Sequence, residues 1–447
     1  MKSILPMAIF AATTFSLGLA DLQGQQVQQT QQWHQFRGPE SNGHAVAENL
    51  PVDFNDETNC DWKVSISGQA WSSPVIADDQ IWLTNAIPIR AEGKERASRM
   101  KNAPAGGASA YSQVKLFAMC FDRKSGEQLH NILLYEVNDP PLINELNSFA
   151  SPTPVIAGDH LICSFGSMGT VCLNRKDGSE VWREKDHQVD HQMGPGSSPY
   201  LYGDQLLVNF DGIDQQYIVS WDQQTGEDIW QTRRSGKLNG RPDMRKAYST
   251  PIVAEIAGQS QVISQGADWV YGYDPADGKE LWKISYGALG FSNAPQPIVV
   301  GDMIYICTGY MKSQLIAIKA DSQKLTDENV VWRWDKQVPA MSTPVVVDDN
   351  IYFYGDDGIA TCLDRNTGDK KWAERLGGNV SSSPIYADGK LYFSNRSGEV
   401  FVVKPGDTYQ LLAKNKLDNR IMATPVAIGG VLFVRTEDSL YRFSKKQ

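Results

Sequence analysis

Short motifs for redox chemistry, metal chelation or catalysis are missing from this chain. Six cysteines, Cys60, Cys120, Cys163, Cys172, Cys307 and Cys362, are spread over 447 residues. None forms a CxxC, a CxxCH or an adjacent Cys-Cys pair, which excludes the usual local signatures of thiol redox and haem attachment. No nucleophile elbow, phosphate loop or HExxH occurs, so no local stretch demands an enzyme. Positive charge is also scarce. Lys+Arg number 42 against 52 Asp+Glu, a formal net charge of −10, which argues against nucleic acid or an anionic membrane as the main partner. Sustained helical periodicity is absent, and the sequence reads as all-β.

What is present is repetition. A small residue, one variable residue, a proline and an apolar run recur eight times, at Pro74, Pro154, Pro199, Pro251, Pro297, Pro344, Pro384 and Pro425. After a first gap of 80 residues the spacing is 40 to 52, the period of a repeat architecture. One repeat, residues 342–376, holds four short β-branched or aromatic runs separated by Gly/Asp/Asn turns, which predicts a four-stranded antiparallel meander. Gly126, Gly178, Gly226, Gly278 and Gly368 each stand four residues before His130, Trp182, Trp230, Trp282 and Trp372. The glycine suits a positive φ in a tight turn, and the tryptophan is expected to pack on the neighbouring blade.

Eight such sheets predict an eight-bladed β-propeller. The last repeat ends after three strands, while Asp61-Trp62-Lys63-Val64 stands alone ahead of the first. Trp62 precedes Pro74 by the same 12 residues that separate Trp332 from Pro344 and Trp372 from Pro384. An N-terminal strand is therefore expected to complete the final blade and close the ring.

Residues 1–20 read as a signal peptide, with Lys2, an apolar stretch from Ile4 to Leu19 and a small-residue end at Gly18-Leu19-Ala20. No cysteine follows it to take a lipid. The mature chain is expected to be periplasmic or secreted, monomeric and without a transmembrane segment. Residues 21–59 form a leader, disordered in part, and 60–447 the propeller. An insertion at 87–113, with Arg90, Lys94, Arg96, Arg99 and Lys101, reads as a solvated mobile loop or as a basic docking element. Cys120, Cys172 and Cys362 hold equivalent third-strand places and read as core. Cys163 and Cys172 lie on adjacent strands of one hairpin and are candidates for a disulfide.

The tight first-to-second and third-to-fourth turns share one face of the ring. The longer second-to-third loops and the crossings between blades share the other, and a ligand surface is expected there, around the channel mouth. The candidates are Trp71, His191, Asp211, Asp214, Tyr248, Asp268, Trp269, Asn293 and Arg420. Trp71, Phe149, Tyr248, Asn293, Met341 and Met422 precede the repeat prolines and are expected to line the channel. Trp71 or Tyr248 offers a stacking face for a flat ligand, or simply packs the rim. Asp211-Gly212-Ile213-Asp214 presents oxygens suited to calcium, or a plain turn. His187, Asp190 and His191 are close in sequence but run into Met193-Gly194-Pro195-Gly196, which fits a polar loop better than a helical chelate.

Pro344, Asp349, Ile351-Tyr352, Asp357-Gly358, Leu363-Asp364, Thr367-Gly368 and Trp372 match, in order, the repeat of the pyrroloquinoline-quinone-like propeller family, which the chain resembles over about residues 60–447. The segment Trp33-His34-Gln35-Phe36-Arg37-Gly38-Pro39, with Gly43 and Leu50-Pro51, resembles a leader of its secreted bacterial members. The resemblance implies one of two functions. Quinoprotein alcohol dehydrogenases hold pyrroloquinoline quinone in the channel, with calcium and often an adjacent-cysteine ring. The barrel-assembly lipoprotein of the outer membrane binds no quinone and serves as a protein scaffold. With no cysteine pair, the reading preferred here is an exported non-catalytic propeller binding a protein, glycan or small molecule through its long-loop face. A quinone- and calcium-dependent dehydrogenase is the alternative.

Overall fold

The computed structural model describes residues 32–104, 107–287 and 290–446; the expected signal peptide lies outside them. Eight blades of four antiparallel strands follow one another round the ring, one of them joined by a fifth, parallel strand. Blade 1 comprises Val75–Ala77, Gln80–Arg90, Tyr111–Asp122 and Gln128–Asn138. Blades 2 to 7 span 155–184, 200–233, 252–285, 298–334, 345–375 and 385–416. Blade 8 takes three strands from 426–444 and its outer strand from Cys60–Ser65, which pairs antiparallel with Ser439–Ser444. The expected closure is thus observed. Across that seam Arg442 meets Asp61 at 2.7 Å.

Sequence dictates the blade through its third-to-fourth turn. In blade 6 the Asp364 carboxylate accepts from the N–H groups of Asn366 and Thr367 at 2.9 and 3.2 Å. The Gly368 N–H then donates to the Asp364 carbonyl at 2.9 Å with φ at +77°. An Asx turn followed by a left-handed residue makes Asp-x-x-x-Gly obligatory here. The glycine has a second use. A Cβ on Gly368 would lie 2.8 Å from the Trp332 ring of the preceding blade, and Gly126, Gly226 and Gly278 approach Trp62, Trp182 and Trp230 in the same way. The indole N–H groups of Trp182, Trp230, Trp332 and Trp372 donate to carbonyls in the next blade at 2.9 to 3.1 Å. Each tryptophan is therefore a clasp between blades, and its burial contributes roughly 2–3 kcal/mol.

Blade 5 tests this account. Its turn, 320–329, has no glycine. Trp282 of blade 4 folds back instead, over Gly272, and donates to Gln261 of its own sheet at 2.6 Å.

The core runs radially between neighbouring blades. Cys163 packs in the cluster between blades 1 and 2, Cys172 in that between blades 2 and 3. Cys172 pairs with Ile162 across the ladder and Cys163 with Val171. The two thiols point to opposite faces of the sheet, since alternate residues of a strand do, and all six cysteines are free. The disulfide expectation is corrected by this offset of one residue.

The insertion is also more structured than a loop. Residues 87–90 and 111–113 extend the two strands of the blade 1 hairpin. A helix, α1 (Gly93–Met100), caps its tip. Arg99 ties that helix to Asp139 at 2.9 Å and to the Pro140 carbonyl.

The leader enters the ring. Trp33 exchanges backbone hydrogen bonds with Ile76, the innermost strand of blade 1, both at 2.8 Å. The His34 carbonyl accepts from Ile156 of blade 2 at 2.8 Å, and the Gln35 side chain from the Leu201 N–H of blade 3 at 3.0 Å. His44–Ala45 adds a parallel strand inside blade 7. The His44 ring meets the Val346 carbonyl of blade 6 at 2.6 Å. Ala47 bridges to Gly429 of blade 8. Trp33 is 1% exposed and Arg37 0%. The Arg37 guanidinium donates to the carbonyls of Asn42, Thr343, Pro344 and Pro384 at 2.7 to 3.4 Å. With no carboxylate beside it, burial lowers its pKa to about 9.

Candidate functional site

The innermost strands begin at a hydrogen-bonded ring that bounds the channel at its long-loop end. The residue before each repeat proline is held extended by the following ring. Its N–H points to the next blade, where the matching residue presents a hydroxyl. Ser73 donates to Thr153, Thr153 to Ser198 and Ser198 to Thr250, each at 3.0 Å. Gln296 donates to Thr343, Thr343 to Ser383 and Ser383 to Thr424, at 2.9 to 3.1 Å. The chain of bonds breaks where blade 5 carries Gln296 in place of Ser or Thr, and at the closing seam. There Arg435 of blade 8 spans to the Ser72 carbonyl and hydroxyl and the Thr84 carbonyl of blade 1 at 2.8 to 3.1 Å. The variable position of the repeat carries a hydroxyl in seven of eight copies; that periodicity was the available signal.

Most of the sequence candidates lie along one arc above this ring, on blades 2 to 5. The Tyr248 hydroxyl donates to the His191 carbonyl at 2.9 Å, and its N–H to the Asn293 carbonyl at 2.8 Å. The Asn293 amide donates to the Tyr286 hydroxyl and the Gly266 carbonyl, both at 2.6 Å. The Tyr286 N–H donates to the Asp268 carbonyl at 3.1 Å. Asp214 accepts from the Asp190 N–H at 2.8 Å. Asp211 is fully buried and receives Arg234 in a fork at 2.5 and 2.6 Å. Burial pushes the Asp211 carboxyl up, and Arg234 pulls it back. Burial lowers His191 to about 4, so its ring is neutral at pH 7. Trp269 donates to the Lys237 carbonyl at 3.2 Å, with Lys283 over its ring.

Trp71 and Arg420 form a separate pair at the seam of blades 8 and 1. The guanidinium sits 4.9 Å from the indole centroid and forks onto Glu437 at 2.7 and 2.9 Å. Among the residues expected to line the channel, Trp71, Phe149, Asn293 and Met422 are buried and Tyr248 and Met341 half-buried. They pack the rim.

A flat polycarboxylate quinone with a metal would need an open aromatic face, unpaired cations and converging carboxylates. The residues do not fit it. The Trp71 face carries Arg420, which is itself paired with Glu437. Asp211 is committed to Arg234. Among the described residues no group of three His, Cys, Asp or Glu side chains converges, and the leader lies along the innermost strands.

Open space lies elsewhere. A groove of about 460 Å³ runs between blades 5 and 6 on the long-loop face, with Asp335, Asp356, Asp357 and Gln314 among its walls and Met311 and Val338 at its apolar side. The signal in the sequence is Tyr310-Met311, two large apolar residues together in a loop. Met311 is 72% exposed and Tyr310 56%.

Comparison with known proteins agrees with the fold. The 1-butanol dehydrogenase (quinone) of Thauera butanivorans is 28% identical over 192 residues, 38% of this chain but only 29% of that enzyme's length. The outer membrane protein assembly factor BamB of Salmonella typhimurium is 24% identical over 297 residues, 65% of this chain and 73% of that protein. A solved europium-containing methanol dehydrogenase superposes with a TM-score of 0.63 over 95% of this chain and 100% of its own, at 10% identity, a likeness of fold alone. No helix among the described residues is long and apolar enough to cross a membrane. A family model described as outer membrane protein assembly factor BamB matches residues 118–374, more than half of the chain, and the protein belongs to that family of quinoprotein-like repeat propellers.

Proposed function

We propose that this protein is a non-catalytic binding propeller of the cell envelope, exported by its first twenty residues, that holds a protein partner on its long-loop face. The observation that carries the reading is the leader. From Trp33 to Leu50 it hydrogen-bonds to the innermost parts of blades 1, 2, 3, 6, 7 and 8, so the axis of the ring is occupied by the protein itself. Family membership agrees, since the BamB relatives are named for the assembly of outer-membrane proteins. The alternative, a quinone-dependent dehydrogenase, draws on the butanol dehydrogenase match and meets the misfit described above.

Calorimetric titration with pyrroloquinoline quinone in calcium, followed by a dye-linked alcohol oxidation assay, separates the two. No heat and no dye reduction are the expected results. Stoichiometric tight binding with turnover would overturn the proposal.

A further inference from the structure

The groove between blades 5 and 6 differs from the rest of the face in chemistry as well as shape. Three carboxylates, Asp335, Asp356 and Asp357, border it, with Lys312 as the cation on its wall. Asp356 is held by the Ala340 N–H at 3.1 Å through one oxygen; the other oxygen is buried and has no hydrogen-bond partner. The loop that carries Met311 is fixed in place. The Tyr310 N–H donates to the Phe291 carbonyl at 3.1 Å, and its ring meets Phe291 edge-on at 5.9 Å. Gln314 and Thr308 close the base of the loop at 2.8 and 2.9 Å. Met311, the most exposed large apolar side chain among the described residues, therefore projects from a braced support. A rigid apolar anchor beside a desolvated charge is the arrangement found at the energetic centre of interfaces.

We infer that this groove receives a polypeptide segment of a partner protein that presents an arginine or lysine flanked by apolar side chains, the cation entering toward the carboxylates and its neighbours packing on Met311 and Val338. The inference rests on the protein-binding reading above and names the chemistry of that partner. The volume holds one or two side chains, which suits a loop or extended segment. Charge complementarity selects a cation: three carboxylates border the groove, against Lys312 on its wall and Arg396 near Asp356.

The test uses the full chain and a fluorescein-labelled nonapeptide, Gly-Ser-Gly-Leu-Arg-Leu-Gly-Ser-Gly, with counterparts in which the arginine is glutamine or the leucines are serine. Fluorescence polarisation should give saturable binding below about 1 mM and a loss of about tenfold for either counterpart. Asp356→Asn should weaken binding about tenfold and Asp335→Asn/Asp357→Asn about fivefold. Met311→Ser, on an exposed side chain whose loss cannot unfold the ring, should weaken it about threefold. Asp79→Asn/Asp159→Asn, on the tight-turn face, removes equal charge and should change it less than twofold. No binding to the wild type, or equal losses from the groove and control pairs, would overturn the inference. Either result leaves the scaffold reading to be judged by the quinone titration, so the two can fail separately.

Discussion

The backbone N–H of Thr343 donates to the hydroxyl of Ser383 at 2.9 Å across the boundary of blades 6 and 7, and both residues are buried. Proline at the next position holds Thr343 extended, so the bond needs only a hydroxyl on the partner. Ser383→Ala should cost about 1–2 kcal/mol by leaving a buried donor unpaired, while Ser383→Thr should retain stability, as the threonines at equivalent positions do. Urea unfolding of the two variants checks this, and equal losses would show that the hydroxyl is irrelevant.

Gly368 combines a φ of +77° with a Trp332 ring where its Cβ would stand. Gly368→Ala should therefore destabilise by about 2–4 kcal/mol, more than the conformational penalty of roughly 1 kcal/mol alone. Paired with Trp332→Phe, which shortens the ring, the excess should shrink, and thermal unfolding of the double-mutant cycle reads that coupling.

Arg37 reaches four backbone carbonyls, three on blades 6 and 7 and one in the leader itself. Arg37→Ala strands them and leaves a cavity, and should cost about 3–5 kcal/mol. The accompanying observation is loss of hydrogen-exchange protection over residues 33–50 under conditions where the blades stay protected. Protection unchanged would show that the leader is held without its arginine.

Asp356 should make stability depend on pH in a defined window. Burial pushes its carboxyl up to about 6 from a reference of 3.8, with Arg396 and Asp357 as the charged groups beside it. Below pH 4 it is protonated folded or unfolded, so ionisation costs nothing. Between pH 4 and 6 the folded state holds the proton more tightly, and stability falls as pH rises, by a total on the order of 3 kcal/mol. Above pH 6 that contribution is fully lost. Asp356→Asn should flatten this segment of the stability profile, and a profile identical to wild type would place the titration elsewhere.

The architecture was legible because its determinants are local and repeated eight times. The Asp364-to-Gly368 turn, the clasp from Trp332, and the count that sends Trp62 to the last blade each follow from spacing. The candidate site was less legible because its determinants are not periodic. Arg37 lies more than 300 residues from three of the four carbonyls it binds, and nothing in the leader's composition says that it enters the ring. Asp211 was readable as a calcium ligand until Arg234, 23 residues on, proved to hold it. Cys163 and Cys172 failed as a pair through a register that only the ladder reveals. Asp335 and Asp356 belong to different blades, and a groove between blades is a property of their packing.

The closing strand has a consequence for the order in which the molecule can be made. Cys60–Ser65 is made before blades 1 to 7, yet its partner strand, Ser439–Ser444, is made after all of them. The outer strand of blade 8 must wait for its neighbour, with Asp61 standing 381 positions ahead of Arg442. Loop-closure entropy of that length is met only once the intervening blades have condensed. Ring closure thus waits for the intervening blades, and a chain halted before Ser439–Ser444 carries an unpaired Cys60–Ser65 strand and an uncovered apolar face on blade 1, each free to associate with a second unfinished copy.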